Sequence, residues 1–98
     1  MEISKKKEES KLTVGLSGRL DTLTAPQLET VIQNDLDGVT ELVFDLKDLV
    51  YVSSAGLRVF LMAQKTMNKK GSMELCNVCD DIKEVFTITG FADIFTIK

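Results

Sequence analysis

Glu41 to Val52 constrains this chain more than any other stretch. Leu42, Val43, Phe44 and Leu46 form a nearly continuous apolar run, and Leu49 to Val52 extends it. A run of that kind suits a strand covered on both faces, which requires helices packed around it. Ser53-Ser54-Ala55-Gly56 then interrupts the run, and Leu57 to about Lys69 reads as the strongest helix in the sequence. Lys69-Lys70-Gly71 closes that helix with a C-terminal signal.

The segments on either side fall into the same alternation. Leu12, Val14 and Leu16 alternate with small or polar residues, as in a strand with one buried face. Thr24-Ala25-Pro26-Gln27 starts a helix. Thr24 can cap, Gln27 can close a capping box, and Pro26 falls in the first turn where its missing N–H costs nothing. Leu28, Val31, Ile32 and Leu36 follow at helical spacing, and Asp37-Gly38 ends the helix. Ser72 to Val78 reads as a further strand. Asp80-Asp81 opens a helix whose stripe is Ile82, Val85 and Phe86 and which stops at Gly90. Asp93 to Ile97 reads as a last strand. Lys5-Lys6-Lys7, followed by Glu8-Glu9, reads as a solvated turn or an edge strand. A helix after each strand places the strands parallel in one sheet. The expected fold is α/β: one small, mixed and mostly parallel sheet of about four to five strands, packed with about three helices, in a single domain spanning residues 1–98.

Composition removes several functions. No histidine is present, so the usual general base, zinc ligand and near-neutral pH switch are all missing. A net charge of −3 argues against nucleic acid as a direct partner. No apolar run approaches the roughly 20 residues of a membrane span, and no signal-type apolar region follows the N-terminus. The expected location is cytoplasmic. Cys76 and Cys79 are spaced as CxxC without a second pair, which reads as one buried and one semi-buried thiol rather than a metal or redox site. Asp45 and Asp48 are a weak magnesium pair, and Asp48 is expected to make a turn. No cofactor and no metal site is expected.

The serine turn is the informative motif. Ser53 or Ser54 can cap the following helix, and Gly56 lets its first turn pack closely. Strand C-termini in open α/β sheets face the crevice where ligands sit. A hydroxyl exposed there can also carry a phosphoryl group. Val52-Ser53-Ser54-Ala55-Gly56 shares half of the G-x-S-x-G elbow of hydrolases, but there is no histidine to deprotonate the serine. On the helix beyond, Arg58, Met62, Lys65 and Lys69 fall on one line, with Phe60, Ala63 and Met67 opposite. Met62 is then either an ordinary exposed methionine or a partner contact.

Two segments resemble a known family. Leu16-Ser17-Gly18-Arg19-Leu20-Asp21-Thr22-Leu23-Thr24-Ala25 is similar to the G-x-L-D and Thr-Ala helix start of the STAS domain. Leu46-Lys47-Asp48-Leu49 leading into Tyr51-Val52-Ser53-Ser54-Ala55-Gly56-Leu57 resembles that family's serine motif. The likeness is greatest to its free-standing bacterial anti-sigma factor antagonists. It implies a phosphorylation-controlled switch with no catalysis of its own. Ser54 would be the phosphoacceptor, and Asp21, Thr22, Ser53, Ser54, Ala55, Gly56, Arg58 and Met62 the partner surface. The implied partners are an anti-sigma factor of the serine-kinase type, held while Ser54 is unphosphorylated so that a sigma factor is freed, and a serine phosphatase that restores the hydroxyl. The alternative is a constitutive STAS subunit of a transport-related or other signalling assembly. The family often has aspartate where Ser53 stands. Many relatives continue into a final helix, so a groove that such a helix covers is expected to be open or covered otherwise.

Overall fold

The computed structural model describes residues 1–98. The elements are β1 (Glu2–Glu8), β2 (Lys11–Leu20), α1 (Ala25–Asn34), β3 (Glu41–Val52), α2 (Ser54–Asn68), β4 (Ser72–Cys76), α3 (Asp80–Thr89) and, after a 3-10 turn at Phe91–Asp93, β5 (Thr96–Ile97). They form one five-stranded sheet in the order β1-β2-β3-β4-β5. β1 runs antiparallel to β2, and the other neighbours are parallel. The mixed sheet with three helices is therefore the architecture that the alternation of segments implies.

The lysine run is the edge strand of its two readings, with Lys5 paired to Val14 and Lys7 to Leu12. Charged side chains on an edge discourage pairing with another chain.

Helices cover only one face of the sheet, not both. In register, Leu12, Leu42 and Met73 share a face with Val14, Phe44 and Leu75. All six are buried, and they join the helix residues Leu28, Ile32, Phe60, Ala63 and Phe86 in one core. The opposite face carries Thr13, Gly15, Asp45, Glu74 and Cys76, all partly exposed. Val43 is the apolar residue of that open face; it is buried but stands outside the core. It made the run in β3 read as covered on both sides. Phe60 knits the covered layer together, meeting Phe44 edge-on at 5.1 Å between ring centroids and Phe86 at 6.2 Å.

β3 is a single strand through Asp48, which makes no turn. Gly15 pairs with Asp45 but Ser17 pairs with Asp48, and Gly18 pairs with Leu49 but Arg19 with Tyr51. β3 thus carries one extra residue at each of two irregularities. The bulges change its burial period, so Leu46, Leu49 and Val52 face the core at three-residue spacing.

Smaller corrections come from caps and turns. α1 ends at Asn34, and Leu36 is buried in the turn beyond it. α2 starts at Ser54, before Leu57, because Ser53 serves as its cap. β4 ends at Cys76 since Asn77 takes a positive φ of 57°. Asp93 belongs to the 3-10 turn rather than to a strand. Cys76 is partly buried and Cys79 exposed, so neither thiol is fully buried.

Candidate functional site

The parallel ends of β2 and β3 lie side by side, and the candidate site is built on the two turns that leave them. Ser53 N–H donates to the Leu20 carbonyl at 2.9 Å, which extends the ladder past both strands. Ser53 itself is extended (φ −97°, ψ 175°), and its hydroxyl accepts the Gly56 N–H at 3.5 Å. That is the N-cap arrangement, and it settles the choice between the two serines. Ser54 becomes the first helical residue, and its side chain is exposed.

Gly56 fixes how closely this helix start approaches the sheet. A Cβ there would stand 2.6 Å from Leu20 Cγ and 2.9 Å from Val52 Cγ2. Only hydrogen fits. Gly56 is buried, so it seats the turn rather than offering a side chain to a partner.

Asp21 braces the facing turn. Its Oδ1 accepts the Leu23 N–H at 3.0 Å and the Thr24 N–H at 3.1 Å. The Asp21 N–H donates to the Thr24 hydroxyl, which in turn donates to the Arg19 carbonyl at 2.8 Å. The expected capping box at α1 is therefore not made. Thr24 occupies the N-cap position in a helical conformation and spends its hydroxyl on the preceding turn. The Thr24 amide, helped by the Leu23 amide and the Arg19 charge, holds the Asp21 carboxyl below its ordinary pKa. One Asp21 oxygen is thus committed to its own loop. The other stands 3.8 Å from Arg19 Nε. Arg19 also lies 4.0 Å over the Tyr51 ring, on the open face of the sheet.

Between α1 and α2 runs an open groove of about 360 Å³, lined by Thr22, Pro26, Glu29, Ala55, Arg58 and Met62, with Ala25 and Val59 at its floor. It brings together four of the expected partner residues. Met62 is half-buried and packs against the core, so it is not an ordinary exposed methionine. Farther along α2, Arg58, Leu61, Met62, Lys65 and Lys69 line a second open recess. The helical line read from the sequence is therefore a basic flank with an apolar margin. Leu23, 86% exposed on the turn that Asp21 braces, was not anticipated. Asp21 two residues before it is the one signal that could have marked a locally capped turn.

The Asp45 and Asp48 pair lies away from this groove, in an open-face recess with Glu2, Ser17 and Lys47. Asp45 Oδ1 accepts from Asn77 Nδ2 at 3.0 Å and from the Lys47 N–H at 3.1 Å. The Asn77 bond above all lowers the Asp45 pKa. Asp45 ties β3 to the end of β4, and the geometry offers no reason to read it as a cation ligand.

Fold and site together define a small mixed-sheet α/β domain with a capped helix start and an open groove beside it. No helix is long and apolar enough to cross a membrane. The model of the STAS domain matches residues 2–98, and the chain belongs to that family. The Bordetella bronchiseptica protein BtrV is 36% identical over 99% of this chain and 85% of its own length. The anti-sigma-B factor antagonist of Bacillus subtilis is 33% identical over 95% of this chain and 86% of its own. Among solved structures, an anti-sigma factor antagonist from Mycobacterium paratuberculosis superposes with a TM-score of 0.88 at 23% identity, covering 98% of this chain and 83% of that one. The last likeness concerns the fold alone.

Proposed function

We propose that this chain is an anti-sigma factor antagonist whose partner surface is switched by phosphorylation of Ser54. The observation that carries the reading is an exposed hydroxyl on the first residue of α2, next to the α1–α2 groove. Unphosphorylated, the domain docks an anti-sigma factor of the serine-kinase type through Thr22, Ser53, Ser54, Ala55, Arg58 and Met62. Asp21 and Gly56 hold that surface in place. The captured anti-sigma factor releases its sigma factor, and transcription proceeds.

The kinase step needs no base from this chain. Ser54 Oγ attacks the γ-phosphorus of a nucleoside triphosphate bound by the kinase. The Oγ–P bond forms, the bond from the γ-phosphorus to the β-bridging oxygen breaks, and the nucleoside diphosphate leaves. The hydroxyl proton passes to the kinase's base. The phosphate adds about −1.5 to −2 charge at pH 7. An interface over Ser54 would have to strip water from it, so the partner is rejected. A serine phosphatase reverses the step by transferring the phosphoryl group to water, which yields inorganic phosphate. The protein acts in the cytoplasm and as a binding switch rather than an enzyme.

The test is incubation with the cognate kinase and ATP, followed by site mapping by mass spectrometry. One phosphate on Ser54, lost in Ser54→Ala, is the expected result. Phosphate on another residue, or undiminished labelling of Ser54→Ala, overturns the assignment.

A further inference from the structure

Ser54 and Arg58 are one helical turn apart on α2, and both side chains are exposed. Residues four apart on a helix have Cβ atoms about 5–6 Å from one another. Each Cα–Cβ bond tilts toward the N-terminus, so a long side chain at the later position reaches back over the earlier one. Arg58 takes part in none of the ion pairs of the chain. Glu29 lines the same groove from α1 yet leaves Arg58 unpaired. No acidic residue occupies the first turn of α2 to compete for the guanidinium. A free cation with a planar fork of donors thus stands one turn from the hydroxyl.

We propose that Arg58 reads the phosphorylation state: once Ser54 carries a phosphoryl group, the guanidinium closes on it within α2 and is withdrawn from the partner surface. The proposal rests on Ser54 as the phosphoacceptor. Arginine suits this role because its fork meets two phosphate oxygens at once. Before modification, Arg58 adds a positive charge to the flank it shares with Lys65 and Lys69. That flank fits an acidic segment of the partner. After modification the same charge is held by the phosphate. One covalent event therefore both adds an anion and removes a cation from the docking surface.

The experiment is a pH titration followed by phosphorus NMR on protein with phosphoserine installed at position 54 during translation. The charged groups around the groove are Arg58 on α2, Glu29 on α1, and Asp21 in the turn before α1, which faces Arg19 of β2. A phosphoserine ordinarily takes up its second proton near pH 6. Pairing with Arg58 lowers that midpoint, so Arg58→Gln is expected to raise it by roughly 0.3 pH unit, the size of a helical four-apart ion pair. Arg58→Lys should give a smaller rise, and Lys65→Gln, farther along the helix, should leave the midpoint where it is. Coincident titrations of the wild-type and Arg58→Gln proteins would overturn the proposal, as would an equal rise in Lys65→Gln. Installing the phosphate directly separates the two readings. A kinase that spares Ser54 refutes the proposed function, whereas an unmoved midpoint refutes the role of Arg58 alone.

Discussion

Helices α2 and α3 each leave the carboxyl end of a strand, α2 from β3 and α3 from β4. Their first turns are made of opposite materials. α2 is capped by the Ser53 hydroxyl, has no acid in its first turn, and places Gly56 third. α3 has Cys79 in the cap position with no side-chain cap bond, Asp80 and Asp81 in its first turn, and Ile82 third. Ile82 is 2% exposed and plugs the core, whereas α2 comes so near the sheet that no Cβ fits. A helix start carries partial positive charge. α3 answers that charge with its own carboxylates. α2 is seated by packing and leaves the charge unanswered, which makes it the end where an added anion changes the surface most.

Opposite substitutions at the two third positions test this contrast most strongly. Ile82→Ala should cost about 2–5 kcal/mol through the cavity it leaves. Gly56→Ala should cost about 1–3 kcal/mol through overpacking, although alanine is the better helix former. Urea denaturation measures both, with the midpoint falling and the slope unchanged. A stabilised Gly56→Ala would show that the close approach of α2 is not needed. Next in size is recognition. Met62→Asp should weaken capture of the anti-sigma factor by at least about tenfold while the domain stays folded. Ile88→Asp, on the exposed side of α3, should leave capture unchanged; titration calorimetry with circular dichroism on both variants distinguishes the two helices. The caps come third. Ser53→Ala should lose about 0.5 kcal/mol, the low end for a cap, in keeping with its 3.5 Å bond. Cys79→Ser should gain a similar amount, about 0.5 kcal/mol, by supplying the cap that α3 lacks. Thermal melts read both.

The smallest effect is acid sensitivity at the turn facing α2. The pKa of Asp21 is lowered by folding, so its contribution is complete above the ordinary aspartate value of about 3.9 and is lost as pH falls through the lower folded value. The stability gap between wild type and Asp21→Ala should be constant at neutral pH and narrower in acid, below the ordinary aspartate value, in urea titrations. A gap of the same size at both pH values would mean that Asp21 braces the turn without its charge.

Element order and the serine turn were legible because each depends on local chemistry. The cap at Ser53, the stop at Gly90 and the stripes of the helices lie in neighbouring residues. The features that escaped depend on partners distant in sequence. Val43 reads as core by type, but its register neighbours Thr13 and Glu74 place it on the open face. Asp48 reads as a turn former, yet the bulges keep it in β3 opposite Ser17. Thr24 reads as a cap, and its hydroxyl is taken by the Arg19 carbonyl. The placing of Arg58 and Met62 on one flank of α2 was legible from helical periodicity. The bracing role of Asp21 and the exposure of Leu23 came only with the turn geometry.

The strand order has a further consequence. Because the sheet runs in sequence order from β1 to β5, no strand pairs across the whole chain: Lys11 meets Glu41, Glu41 meets Ser72, and Glu74 meets Thr96. The fold can therefore open from one side. Loss of the short β4–β5 pairing leaves the β1–β2–β3 ladders intact, along with the turn that carries Ser54. Under native-state hydrogen exchange, amides of β2 and β3 should open only with global unfolding, while those of β5 exchange through a smaller local event. The proposed partner surface would then rest on the part of the molecule expected to exchange slowest.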